Sequence, residues 1–240
     1  MRTLTEQQMI DIIWGATLMG GGGGGSISSG MDLLNAYKRD HPDAKIEVDL
    51  ITVDEMKGGY AAATAGMGAP AAIVGVDFSK YAANAFSLLQ EVAARHGKDL
   101  RYNIPVELGG FSIFFPLLLS LITEFKTVDA DGAGRAVPAL ETLLLHVNGC
   151  PTSPIALANG VNDKITVELA DSHNAPLAEK IGRDICGEFG NMVGISGWLV
   201  DKTDIENRII TGSITLCEKI GAIMRRANCP AEKLFEMLAS

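Results

Sequence analysis

Segments of strand period and segments of helix period take turns along the first half of this chain, and that order constrains its fold more than any other feature. Residues 45–51, Lys-Ile-Glu-Val-Asp-Leu-Ile, alternate apolar and polar side chains as a half-exposed strand does. Residues 60–65 and 102–107 read as further strands, and a short apolar stretch leads into Asp129. Helical patterns lie between and around them. One opens at Thr5, a predicted N-cap with Gln8 at the capping-box position, and runs to about Gly15. Others cover residues 26–39, 81–95 and 113–123, the last with Pro116 expected in its first turn. Strands separated by helices pair in parallel by crossing over the face of a sheet. The pattern therefore predicts an α/β fold, a mostly parallel or mixed sheet with helices on both faces, in one domain over residues 1–240.

The second half adds a helix over 138–146 and a hairpin around Asn159-Gly160, between strands at 154–158 and 164–169. A helix follows over 175–189, then a strand over 192–200, a long helix over 211–227 and a short closing helix.

Composition narrows the function. The formal net charge is -9, which disfavours a sequence-independent nucleic-acid surface and an anionic membrane surface alike. The longest apolar run, 113–122, is broken by Pro116 and is too short to span a bilayer. The N-terminus lacks the apolar core of a signal peptide, so the expectation is a cytoplasmic protein. Cys150, Cys186, Cys217 and Cys229 are scattered without a Cys-x-x-Cys pair, as reduced thiols are. Cys150, in a loop between Gly149 and Pro151, is the best placed of the four to act as a nucleophile. His41, His96, His146 and His173 show no ligand spacing, so they define no zinc site, and no motif names a cofactor.

Three loops share one design, a strand followed by small residues and then a helix: 66–70, 107–110 and 129–135. In an open parallel sheet the carboxyl ends of the strands share an edge, where ligands bind. The three loops are expected to meet there and to bring Glu107, Asp129, Asp131 and Arg135 together. Glu107 is a candidate general base. Asp129 and Asp131 either share that work, hold a metal, or cap a turn and a helix. Arg135 binds an anionic substrate group or pairs with an aspartate. The glycine run 20–25 offers backbone amides, at Gly22, Gly23 and Gly24, beside the start of the next helix. It follows a helix and lacks the Lys-Ser/Thr of a P-loop, so an anion cradle and a plain connector both stay open.

The order of these motifs resembles a known family. A glycine-rich turn, Met67-Gly-Ala-Pro70, Glu107-Leu-Gly-Gly110, Pro116-Leu117, Asp129-Ala-Asp-Gly-Ala-Gly-Arg-Ala-Val-Pro138 and a late Gly212-Ser-Ile-Thr215 recur in the S-methyl-thiohydantoin desulfurase family. The resemblance covers about residues 20–226 and implies the N-terminal α/β domain of that family, without its usual β-rich C-terminal domain. It implies hydrolytic chemistry on a small thiohydantoin- or hydantoin-like cyclic amide. Glu107, Asp129 and Asp131 would then be catalytic, and Gly22, Gly23, Gly24, Met67, Gly68, Gly109, Gly110, Ser112 and Arg135 would bind substrate. A non-catalytic subunit of a hydantoinase- or oxoprolinase-type enzyme is the alternative, and a homo-oligomer is expected. Three positions depart from the family pattern. Residues 71–77 lack its acidic-Lys pair, the nearest lysine being Lys80; Ser112 replaces an asparagine; and Ser26 stands where an aspartate commonly follows the glycine run.

Overall fold

The computed structural model describes residues 1–68 and 78–239. Eight strands form one mixed sheet in the order β1-β2-β5-β4-β3-β9-β7-β8. They are β1 (Arg2–Thr5), β2 (Glu47–Ile51), β3 (Tyr60–Gly68), β4 (Leu100–Pro105), β5 (Lys126–Val128), β7 (Ile155–Ala158), β8 (Lys164–Val167) and β9 (Met192–Val200). Two further short strands, β6 (Ala130–Asp131) and β10 (Ile210–Thr211), pair with each other. The centre, β2-β5-β4-β3, is parallel, and every other pairing in the sheet is antiparallel.

Helices cover both faces. On one side lie α1 (Glu6–Met19), α2 (Ile27–Asp40), α3 (Ser79–Arg95), α4 (Gly110–Ile122) and α8 (Ser213–Arg226). The other side carries α5 (Leu144–Val147), α6 (Ala175–Glu188) and α7 (Lys202–Arg208). The period of two along each strand sorts its residues between two cores. In β3, Ala62 joins the first core while Ala61, Ala63 and Ala65 join the second. A strand buried on both faces is apolar throughout, which is why β3 shows no alternation. The last helix, α9 (Pro230–Leu238), leans on α8 and buries none of its own residues.

The sequence expectations hold for most elements. Thr5 caps α1 with the full capping box to Gln8, and the 159–160 turn joins β7 to β8 in antiparallel register. Four local differences have tertiary causes. β1 is too short to announce itself and exists by pairing with β2. Pro116 sits well inside α4, because the helix starts earlier, at Gly110. Residues 138–146 do not make one helix: a 3-10 turn at Leu140–Thr142 and α5 are separated by an extended Leu143, and the Leu144 amide bonds to Gly132 O at 2.9 Å. The long late helix begins at Ser213 rather than 211, since Ile210 and Thr211 are held in a strand pair with β6. The part of the Met67–Pro70 motif beyond Gly68, and residues 71–77 where the family's acidic-Lys pair would fall, lie outside the described residues.

Candidate functional site

A cleft of about 230 Å³ opens at the carboxyl ends of β3 and β4. Gly66, Met67 and Gly68 line it from β3, and Val106 and Glu107 from the chain leaving β4. Gly24, Gly25 and Ser29 close one side with Phe111 and Ser112 of α4. Residues 137–140, Leu143, Arg183, Met192 and Ile195 complete the wall. Its lining is mainly apolar with a few polar groups, the usual make-up of a small-molecule site. The loops after β3 and β4 both reach the cleft, as the strand order β4-β3 requires; the third, 129–135, packs against the second, with Leu108 N on Arg135 O at 3.3 Å and Gly132 N on Pro105 O at 3.1 Å, without lining the cleft.

Glu107 is the titratable group at the centre of this arrangement. Its Oε1 accepts from Ser112 Oγ at 2.9 Å and its Oε2 from the Val137 amide at 2.7 Å. Burial pushes its carboxyl above the ordinary range, against those two donors, and the charge of Asp131 adds to the rise. A carboxyl fixed at both oxygens and shifted upward is suited to accept a proton and return it.

The glycine run acts through its backbone. Gly24 O accepts from the Phe111 and Ser112 amides, each at 3.0 Å, and Gly25 O accepts from Gly110 N at 2.9 Å. These are the amides that the first turn of α4 leaves unpaired. The run thus caps α4 with the carbonyls of Gly24 and Gly25. Gly24 has φ +67, and a Cβ there would lie 2.8 Å from Gly109 Cα and closer still to Leu108 O. Gly24 and Gly109 are glycines because two backbones touch at this point. Gly22 and Gly23 are exposed and lie off the cleft, while Gly109 and Gly110 serve the backbone contact behind it rather than the lining.

The aspartates sit elsewhere. Asp129 Oδ1 accepts from the Ile214 and Thr215 amides at 2.9 and 3.1 Å, and Thr215 Oγ1 bonds to Oδ2, so Asp129 caps the distant helix α8. Asp131 Oδ1 accepts from the Ala133 amide at 2.9 Å and from that of Gly134, tying the glycine-rich turn to itself. Asp131 is wholly buried, and neither its Oδ2 nor the hydroxyl of Ser213 makes a hydrogen bond. Burial drives its carboxyl well upward, opposed by the nearby Ser213 hydroxyl and by the Gly134 and Ala133 amides; the charge of Asp129 adds to the rise. Being two apart, the aspartates share one face of the strand, and that face looks toward α8 while Val128 and Ala130 enter the opposite core. Neither lines the cleft. Arg135 is exposed, with Nε on Ala136 O at 3.2 Å, and also stays outside it.

Cys150 is fully buried, away from the cleft, and burial pushes its thiol up, so it lacks the exposure and thiolate character of a nucleophile. Among the described residues no group of three or more His, Cys, Asp or Glu is placed to hold a metal ion. No helix among them is long and apolar enough to cross a membrane.

Of the cleft's polar side chains, two escaped the sequence reading, Ser29 and Arg183. Arg183 pairs with Glu179 one helical turn back, a spacing that reads from sequence as an ordinary surface ion pair. No local signal marks either residue; only the packing of α2 on α4 and of α6 on β3 brings them to the site.

Fold and site together describe a mixed α/β protein with a small, mostly apolar cleft at the carboxyl ends of adjacent parallel strands. The chain belongs to the S-Me-THD-like family: residues 7–169 match its N-terminal domain and residues 172–240 its C-terminal domain. The match therefore extends past the N-terminal domain to which the motifs pointed. The residues that match the C-terminal domain form α6 to α9 and the strands β9 and β10, with β9 lying inside the sheet between β3 and β7. The crystal structure of a protein from Chromobacterium violaceum, a structural-genomics target, is 25% identical with a TM-score of 0.87. The alignment covers 99% of this chain and 66% of that one, so the chain spans just under two thirds of that relative's length. Comparison with proteins of curated function returns no match.

Proposed function

We propose that this protein is a desulfurase-like hydrolase acting on a small thiohydantoin- or hydantoin-like cyclic amide in the cleft at Glu107. The observation that carries the reading is the carboxyl of Glu107, held at both oxygens and raised by burial at the wall of a small apolar cleft. In the reaction a water oxygen bonds to the ring carbon that bears sulfur, the carbon–nitrogen π pair moves onto the ring nitrogen, and Glu107 takes one of the water's two protons. As the tetrahedral intermediate collapses the carbon–sulfur bond breaks, the added hydroxyl becomes the carbonyl with its proton passing to the ring nitrogen, and Glu107 returns the first proton to the leaving thiolate. The cleft volume of about 230 Å³ lies below the roughly 300–1,000 Å³ of drug-sized pockets and suits a single five-membered ring with one substituent. Asp131 acts in this scheme by fixing the turn that leads to Val137 N, the donor to Glu107, while Asp129 holds the start of α8.

The test is turnover of S-methyl thiohydantoins followed by thiol release. Glu107→Gln keeps the side-chain shape and one acceptor oxygen, and loss of the proton carrier is expected to lower kcat by about 10²–10⁴-fold. Undiminished thiol release by Glu107→Gln would refute the assignment.

A second reading is a non-catalytic subunit that binds the same ring for a hydantoinase- or oxoprolinase-type partner, or for another copy of this chain. The exposed Phe235 and Leu238 of α9 favour it. Ring binding without turnover, together with a stable complex in sedimentation with such a partner, is its expected outcome; turnover by the isolated chain refutes it.

A further inference from the structure

Among the described residues lining the cleft, the single cationic side chain is Arg183. It stands beside Gly182, where α6 comes so close to β3 that a Cβ would lie 3.0 Å from Met67 Sδ. The buried stripe Ala175, Ala178, Gly182 and Cys186 fixes the helix face, so the next residue, Arg183, falls at the mouth of the site. Glu179 orients it, accepting from Nε at 2.7 Å, and Glu179 is itself mostly covered while Arg183 stays about half exposed (13% against 53%). Glu179 Oε2 also accepts from the Leu140 amide at 3.4 Å, on the adjoining wall. Among the described residues no acceptor takes the Nη end of the guanidinium. A planar fork held at one edge and free at the other is preorganised for a carboxylate.

We infer that Arg183 selects a ring substrate whose substituent carries a carboxylate, the ring lying against Glu107 and the carboxylate reaching the Nη end of Arg183. This rests on the ring-hydrolase reading of the same cleft. In a chain of net charge -9 an anionic ligand gains nothing from the overall field, so recognition falls to this one local cation.

The experiment compares two hydantoins that differ only in the end group, the carboxyethyl hydantoin derived from glutamate and the carbamoylethyl hydantoin derived from glutamine. Binding to the whole protein is measured by calorimetry for the wild type, Arg183→Gln and Arg183→Lys. Turnover of the matching S-methyl thiohydantoins is measured alongside. The wild type is expected to bind the carboxylate about 5- to 10-fold more tightly than the carboxamide, a preference reduced by added salt. Arg183→Gln is expected to bring that ratio to about one, and Arg183→Lys to keep part of it, since an ammonium retains the charge but not the fork. Equal binding of the two probes by the wild type, a ratio that survives Arg183→Gln, or binding of neither probe overturns the inference. Carboxylate selectivity without turnover refutes the hydrolase reading and leaves the role of Arg183 standing; turnover without selectivity does the reverse.

Discussion

A methyl group added to the glycine run should have unequal consequences two residues apart. Gly22 and Gly24 both have positive φ, +101 and +67, so alanine at either position brings backbone strain of about 1–3 kcal/mol. At Gly22 the new Cβ meets nothing within 4 Å. At Gly24 it meets backbone, Leu108 O and, at 2.8 Å, Gly109 Cα, where no side chain can swing aside. Relief requires the loop to lift from α4, which weakens the two bonds that Phe111 N and Ser112 N make to Gly24 O. Overpacking adds roughly 1–3 kcal/mol and a weakened amide bond roughly 0.5–1.5 kcal/mol. Gly24→Ala should therefore be about 2–4 kcal/mol less stable than Gly22→Ala. With a shift of roughly 2–4 °C per kcal/mol for a chain of this size, the Tm values should differ by roughly 4–16 °C in a calorimetric scan. Because the same contact positions Ser112 against Glu107, Gly24→Ala should also lose ring binding at temperatures where it remains folded. Equal Tm values for the two variants would refute the account of the run as a backbone cap on α4.

The remaining predictions concern the carboxylates. If Glu107 must be ionised to take the water's proton, kcat/KM should rise with pH through a midpoint above the ordinary glutamate value of about 4.3, and the limb should vanish in Glu107→Gln; a flat wild-type profile would contradict this. For Asp131 the folded pKa is raised, so ionisation disfavours the folded state. Stability is intact below the unfolded value of about 3.9 and falls as pH rises from there toward the raised folded pKa. Asp131→Asn keeps the acceptor for Ala133 N and Gly134 N and cannot ionise. It should match or exceed the wild-type Tm at pH 8 and lose any advantage near pH 4, and a clearly lower Tm at pH 8 would sink the idea. Asp129→Ala removes the cap of α8 and should lower stability by about 1–3 kcal/mol in urea unfolding without changing KM in the correctly folded fraction, whereas an altered KM would place Asp129 in the site after all.

Much of the architecture was legible because the signals are local. The alternation at 45–51 sits on β2, the apolar 60–65 lies within β3, and Thr5 and Gln8 form the capping box of α1. Of the candidate site residues, Gly24, Met67, Gly68, Glu107 and Ser112 do line one cleft. The Asp129–Pro138 block, the most conspicuous segment in the sequence, enters the site only at its end: its aspartates face α8, while Val137 and Pro138 line the cleft and the Val137 amide bonds to Glu107.

The sequence by itself determined the period of each segment, and with it the strands, the helices and the parallel centre of the sheet. It also placed Glu107 just past the end of a central strand. Periods and caps are set by neighbours three or four residues away, so one chain read in order is enough to find them. Only the tertiary structure decided which face Asp129 and Asp131 present, that the glycine run caps α4 through its carbonyls, and that Arg183 reaches the cleft from α6. Those outcomes join residues such as Asp129 and Ile214, or Gly24 and Phe111, which meet only through packing across the sheet and between its helices. No local pattern records which distant backbone will take a carboxylate's free oxygen, because that is settled by the burial of two cores at once.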